Sequence, residues 1–215
     1  MAFSTMLETM SAGMLRTFLI FALTLVGSLP LGMIVALLRK SRFAPVRGII
    51  KAYISVMRGT PLMLQLLVWY FGPFYLFGWN IGNWRFPAII VGFVLNYAAY
   101  FAEIYRGGIE SIPAGQYEAA EVLGYTKFQT FMRIILPQVV KIIMPSVTNE
   151  VITLVKDTSL AFTLAYQEVF SLAKQISASQ TSFMPFLIAG VFYFVANYVV
   201  EIVMARIEKS MDYYK

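Results

Sequence analysis

The chain has 215 residues, 59% of them hydrophobic and 13% charged, with a formal net charge of +6 and neither cysteine nor histidine. Charge this sparse is about half that of an ordinary soluble domain, so the solvent implied is a bilayer, and the missing side chains exclude disulfides, thiol nucleophiles, imidazole bases and the common zinc sites. The positive balance reads as topology-setting Lys and Arg beside membrane spans, and nucleic acid is not expected as a partner.

Arg16 is followed by an uncharged run over 17–38. The run is too long for the apolar core of a signal peptide, and no A-x-A-like site precedes Arg39, Lys40 and Arg42, so a retained first span is predicted at about 14–39. Gly27, Pro30 and Gly32 at its centre predict a kinked, closely packed helix. Residues 44–57 are basic and half apolar. Pro61 lacks a donor and disfavours helical geometry at Thr60, which predicts a break at the entry to a second span, about 58–80. Trp69, Trp79 and Trp84, with Tyr70 and Tyr75, suit an interface or outer vestibule.

A third span is predicted at about 86–108, uncharged until Glu103 and Arg106. The fourth, about 134–155, carries Lys141, Asn149 and Glu150 and is the least lipid-like. Lys156 to Ser159 interrupt it, and Asp157 or Thr158 is predicted to cap a new helix running through Lys174. The fifth lies at about 181–207. Thirteen Lys and Arg then fall after spans one, three and five, against Arg16, Arg85 and Lys174 on the opposite face. The positive-inside rule places the N-terminus outside and the C-terminus in the cytoplasm.

Between spans three and four lies a polar island, QYEAAEVLGYTKFQTFMRIILP, from Gln116 to Pro137. Pro113 suits a first helical turn, Gly124 is a natural helix terminator with φ > 0, and Thr126 with Gln129 spells a capping box. The prediction is a helix over about 113–124, a tight turn, and a second helix entering the membrane.

The spacing of Glu118, Ala119, Ala120, Gly124, Ile134, Leu136 and Pro137 resembles the EAA loop of the membrane subunits of bacterial binding-protein-dependent ABC importers. MRGTPLMLQ (57–65), YFAEIYRGGIESIPAGQ (100–116) and KDTSL (156–160) are similar to the polar amino acid uptake branch, of the histidine, glutamine and arginine permease kind. The resemblance covers essentially the whole chain. It implies an all-α membrane protein with five transmembrane helices and a cytoplasmic EAA coupling helix, the type I ABC importer fold, in a bacterial cell membrane. It further implies that Glu118, Ala119, Ala120 and Gly124 couple to a cytoplasmic ABC ATPase dimer. The other implied partners are a second permease subunit, the same or a related chain, and an extracytoplasmic substrate-binding protein. The sequence has no G-x-x-x-x-G-K-[ST] motif, so no cofactor is expected in this chain and ATP with Mg belongs to the partner ATPase.

Substrate contact is sought among polar groups within spans. Asn96, Tyr100 and Glu103 share one face of the third helix, although Glu103 is equally suited to pairing with Arg106. Asp157 and Thr158 sit at a helix interruption, where Lys156 is the alternative partner of Asp157; Gln65 follows Pro61 by one turn. Glu150 is assigned to a neighbouring helix or a subunit interface. The leading function is ATP-driven uptake of polar amino acids, with a lean toward cationic ones, and the alternative is an amino acid or ion channel or secondary transporter working without an ATPase. An intramembrane enzyme has little support from a chain lacking His, Cys and G-x-S-x-G.

Overall fold

The computed structural model describes residues 3–211, and every regular element among them is helical. α1 (Phe3–Arg39) is followed by α2 (Ala44–Gly59), α3 (Leu62–Phe77), α4 (Arg85–Glu110) and α5 (Ala114–Val122). α6 (Lys127–Thr130) passes through one wide π turn (Phe131–Ile135) into α7 (Leu136–Asp157), and a 3-10 stretch (Thr158–Leu164) leads to α8 (Val169–Gln180) and α9 (Met184–Ser210). Four of these stretches are long and apolar enough to cross a membrane, or five if the bent pair α2 and α3 counts as one span.

α4 is the central helix, packed against α1, α2, α3 and α7. Small residues let α1 approach it: Thr24, Ser28 and Gly32 recur every fourth position on the buried stripe of α1. A Cβ built on Gly32 would stand 2.8 Å from Phe101 Cβ and 3.1 Å from the Ala98 carbonyl oxygen. That obstacle is partly backbone and cannot step aside. Gly32→Val is therefore expected to cost about 1–3 kcal/mol by overpacking, read as a lower midpoint of thermal unfolding in detergent.

The first helix is longer than the span expected at 14–39. Met6, Met10 and Met14 are buried, with Val169, Ala173 and Ala189, in a second core against α8 and α9, and this contact carries the helix back to Phe3. At about 1.5 Å per residue its 37 residues reach about 55 Å, well beyond a hydrocarbon core of about 30 Å. The opposite sides of α1, α3 and α9 expose Val26, Val68, Phe194 and their neighbours, as helices facing lipid must.

A correction concerns the segment after α7. Asp157 and Thr158 do not cap a new helix through Lys174: both have right-handed helical φ and ψ, and the chain turns only at Ala165, which adopts φ +52. The cap of α8 is Glu168, fully buried, which accepts from the N–H groups of Phe170 at 2.7 Å and Ser171 at 2.6 Å, and from the Tyr193 hydroxyl at 2.9 Å. Burial pushes its carboxyl up from the usual range, against the pull of those three donors.

Candidate functional site

Pro61 ends α2, and the chain bends by 114° before α3 begins. Such an elbow strips helical partners from the last carbonyls of α2. Gln65, one turn into α3, replaces them: its Nε2 donates to the carbonyls of Met57 at 2.9 Å and Thr60 at 3.1 Å, and to Thr60 Oγ1 at 2.9 Å. Asn96 of α4 donates from Nδ2 to the Met57 carbonyl and to Gln65 Oε1, both at 3.0 Å. Both side chains are buried. The polar face predicted on the third helix thus exists, and its first member stitches the elbow.

Beside the elbow is a pocket of about 330 Å³. Its walls are Thr60 to Leu62, the Asn96–Tyr100 turn of α4, and Glu150, Thr153 and Asp157 of α7. The three α7 residues follow i, i+3, i+7 spacing and so share one helix face. The Tyr97 hydroxyl donates to Asp157 Oδ2 at 2.8 Å, so Asp157 finds its partner on α4 rather than in Lys156. Neither Glu150 nor Asp157 forms an ion pair among the described residues. The Arg58 guanidinium lies 5.3 Å from the centre of the Tyr100 ring, at the pocket's edge. Two carboxylates and two phenol rings facing one cavity can hold a cationic group by charge, by hydrogen bonds and through ring faces. A larger cleft of about 410 Å³ between Leu7 and α9 is lined by apolar side chains alone, with nothing to orient a zwitterion.

The predicted residues divide accordingly. Asn96, Tyr100 and Asp157 line the pocket, and Gln65 stands behind Asn96. Thr158 is fully buried and donates to the Val155 carbonyl at 2.6 Å, outside the lining. Glu103 is one turn beyond the pocket, at the end of the bundle where α1 and α2 meet α4. It pairs with Arg106 at 2.7 Å, Arg39 at 3.2 Å and Arg58 at 3.8 Å, and Arg106 also pairs with Glu110. The pairing with Arg106 is real but is one third of the cluster. Among the ionisable lining residues, two escaped sequence reasoning. Tyr97 left no local signal; Glu150 did, because it stands seven residues before Asp157.

The EAA segment follows α4 at that same end. α5 closes with a Schellman turn: Tyr125 N–H donates to the Ala120 carbonyl at 3.0 Å and Gly124 N–H to the Glu121 carbonyl at 2.9 Å, with Gly124 at φ +76. The Thr126–Gln129 capping box starts α6, with bonds of 2.9 and 3.3 Å. Ala120 is buried and anchors α5, while Glu118, Ala119 and Gly124 face outward. Val122, Leu123 and Phe128 are 88%, 73% and 74% exposed on the same turn. Large apolar side chains are thus grouped in the open on a short polar connection. The wide π turn accommodates Pro137, which has no N–H for the ladder, and lets the helix run on unbroken. One rod therefore joins the exposed turn to Glu150 and Asp157.

Residues 28–213 match the family described as binding-protein-dependent transport system inner membrane component. The chain is 35% identical over 208 residues to the L-cystine transport system permease protein TcyB of Bacillus subtilis, covering 95% of this chain and 87% of that one. It is 36% identical over 200 residues to the arginine transport system permease protein ArtQ of the same organism, covering 93% and 90%. Among solved structures, the crystal structure of an amino acid ABC transporter with histidines superposes with a TM-score of 0.87 at 30% identity, over 98% of this chain and 99% of that one.

Proposed function

The chain belongs to the binding-protein-dependent transport system inner membrane components, the permease subunits of ABC importers, and from that membership we propose that it carries polar, cation-bearing amino acids through the pocket between α4 and α7. The observation that supports this reading is the pair of carboxylates, Glu150 and Asp157, free of ion pairs among the described residues and facing Tyr97 and Tyr100. A lysine or arginine side chain supplies the charge they lack. Asn96 and Gln65 hold the opposite wall by bonding the elbow, and Glu103 fastens the end of the bundle outside the pocket.

The chain is not the ATPase; hydrolysis is carried by a separate subunit. We assign its docking to the α5 turn, where Glu118, Ala119 and Gly124 lie on the surface and Ala120 anchors the helix. ATP and Mg act there, in the partner. Closure of an ATPase dimer against α5 pushes on α6 and α7, a single rod that ends at the carboxylates. The orientation that fits is N-terminus outside and C-terminus in the cytoplasm. An extracytoplasmic binding protein then delivers the amino acid, and a second permease subunit completes the pathway.

In proteoliposomes containing the assembled importer, Glu150→Gln and Asp157→Asn should each lower arginine or lysine uptake by about 10- to 100-fold, the loss of one charged hydrogen bond of about 1.5–3 kcal/mol. Glutamine uptake should fall much less. Equal losses for both substrates would rule out the cationic reading, and uptake without ATP would favour the channel or secondary carrier.

A further inference from the structure

α2 presents three faces, and two of them point away from the protein. Ile50, Tyr53, Ile54 and Met57 recur at helical spacing and pack inward on the main core. Ile49 and Val56 stand on one flank, 69% and 53% exposed. Arg47 and Lys51, at i and i+4, stand on the roughly opposite flank, which ends in Arg58 where the helix meets Glu103. The 114° elbow turns this helix across the direction of α3. An apolar flank, a basic flank and an axis turned away from the span are the marks of a helix lying in a membrane interface.

The charges on this helix and on the connection before it have almost nothing to balance them. No Asp or Glu occurs between Glu8 and Glu103, and Glu103 is already occupied by Arg39, Arg58 and Arg106. Lys40, Arg42, Arg47 and Lys51 form no ion pair among the described residues; Arg47 donates to the Ser41 carbonyl at 3.4 Å. We infer that Lys40, Arg42, Arg47 and Lys51 seat the headgroups of anionic phospholipids while Ile49 and Val56 enter the acyl region. A soluble acidic protein would match the charge but would leave the adjoining apolar flank, with Phe43 at 64% exposed, in water. A phospholipid satisfies both flanks together. The leaflet is cytoplasmic in the orientation proposed above, whereas the headgroup preference stands without it.

The test uses the full chain alone, in phosphatidylcholine bilayers doped with spin-labelled phosphatidylglycerol or spin-labelled phosphatidylcholine. The motionally restricted fraction reports lipids held at the protein. Wild type should prefer phosphatidylglycerol by about fivefold or more, since one Lys or Arg near an anionic surface contributes about 1 kcal/mol, and high salt should weaken the preference. The variant K40Q/R42Q/R47Q/K51Q should lose it. The variant K127Q/R133Q/R206Q/K209Q, which removes equal charge elsewhere at that end, should keep it. If the first variant does not insert, the pair K40Q/K51Q is read on the same scale. No preference in wild type, a preference surviving in the first variant, or equal loss in the second would each overturn the proposal. Failure of transport assays would not touch it, because nothing in this measurement moves cargo.

Discussion

Replacing Gly124 by valine is expected to abolish substrate-stimulated ATP hydrolysis in the assembled importer while membrane insertion of the chain is preserved. Gly124 holds φ +76, and no atom lies within 4 Å of the position a Cβ would occupy, so the penalty is conformational rather than steric crowding by neighbours. The left-handed region costs an ordinary L-residue roughly 1–2 kcal/mol and a β-branched one more. The cheaper response is for the turn to open. Opening it removes the bonds from Tyr125 to Ala120 and from Gly124 to Glu121, and it changes the angle at which α5 meets the Thr126 cap. The helix proposed to receive the push would then no longer be aligned with the rod proposed to carry it. Gly124→Asn should retain part of the coupling, because asparagine tolerates this region better than valine. Membrane fractionation and ATPase activity with and without loaded binding protein separate insertion from coupling. Wild-type stimulation in the valine variant would remove this turn from the coupling route.

The second large effect is expected at Glu103. Glu103→Gln should lower uptake of arginine and of glutamine by the same factor, and should lower the unfolding midpoint of the purified chain. The carboxylate is the common partner of Arg39, Arg58 and Arg106, which come from the ends of α1, α2 and α4. An amide leaves Arg39 and Arg58 without a counter-charge and Arg106 with Glu110 alone. Hydrogen bonds to charged groups contribute about 1.5–3 kcal/mol, and the exposure of Arg58, at 44% of its side chain, places the net loss toward the lower end. Because Glu103 lies outside the pocket, it has no reason to distinguish a cationic cargo from a neutral one. Glu103→Asp should recover part of the stability. A selective loss of arginine uptake would return Glu103 to the substrate.

Much of this architecture is legible in the sequence, because its strongest signals are local. Uncharged runs set the long helices, Pro61 sets the elbow, and Gly124 with Thr126 and Gln129 sets the turn after α5. Each rests on residues within a few positions of one another. The site is less legible because its bonds join distant parts of the chain. Tyr97 reaches Asp157, Asn96 reaches Met57, and Arg39 reaches Glu103 only once the helices pack. The start of α8 failed for the same reason. Glu168 caps it with the help of Tyr193 from α9, whereas Asp157 and Thr158 offered a familiar capping residue at the wrong place. At the N-terminus Glu8 and several hydroxyl residues masked the Met6, Met10 and Met14 stripe, which a count every fourth residue would have found.

The stitching of the elbow has a consequence for turnover. The carbonyls of Met57 and Thr60 are bound by Gln65 and Asn96, side chains of the chain itself. A passing amino acid is therefore not required to lend its ammonium group to complete this wall, and its departure does not undo the wall. In the proposed pathway, the corner is complete before cargo arrives. In the transport reading proposed above, discrimination among cargoes falls to α7, whose carboxylates lie on the rod proposed to carry the push from the ATPase, and grip and release would be two positions of one helix.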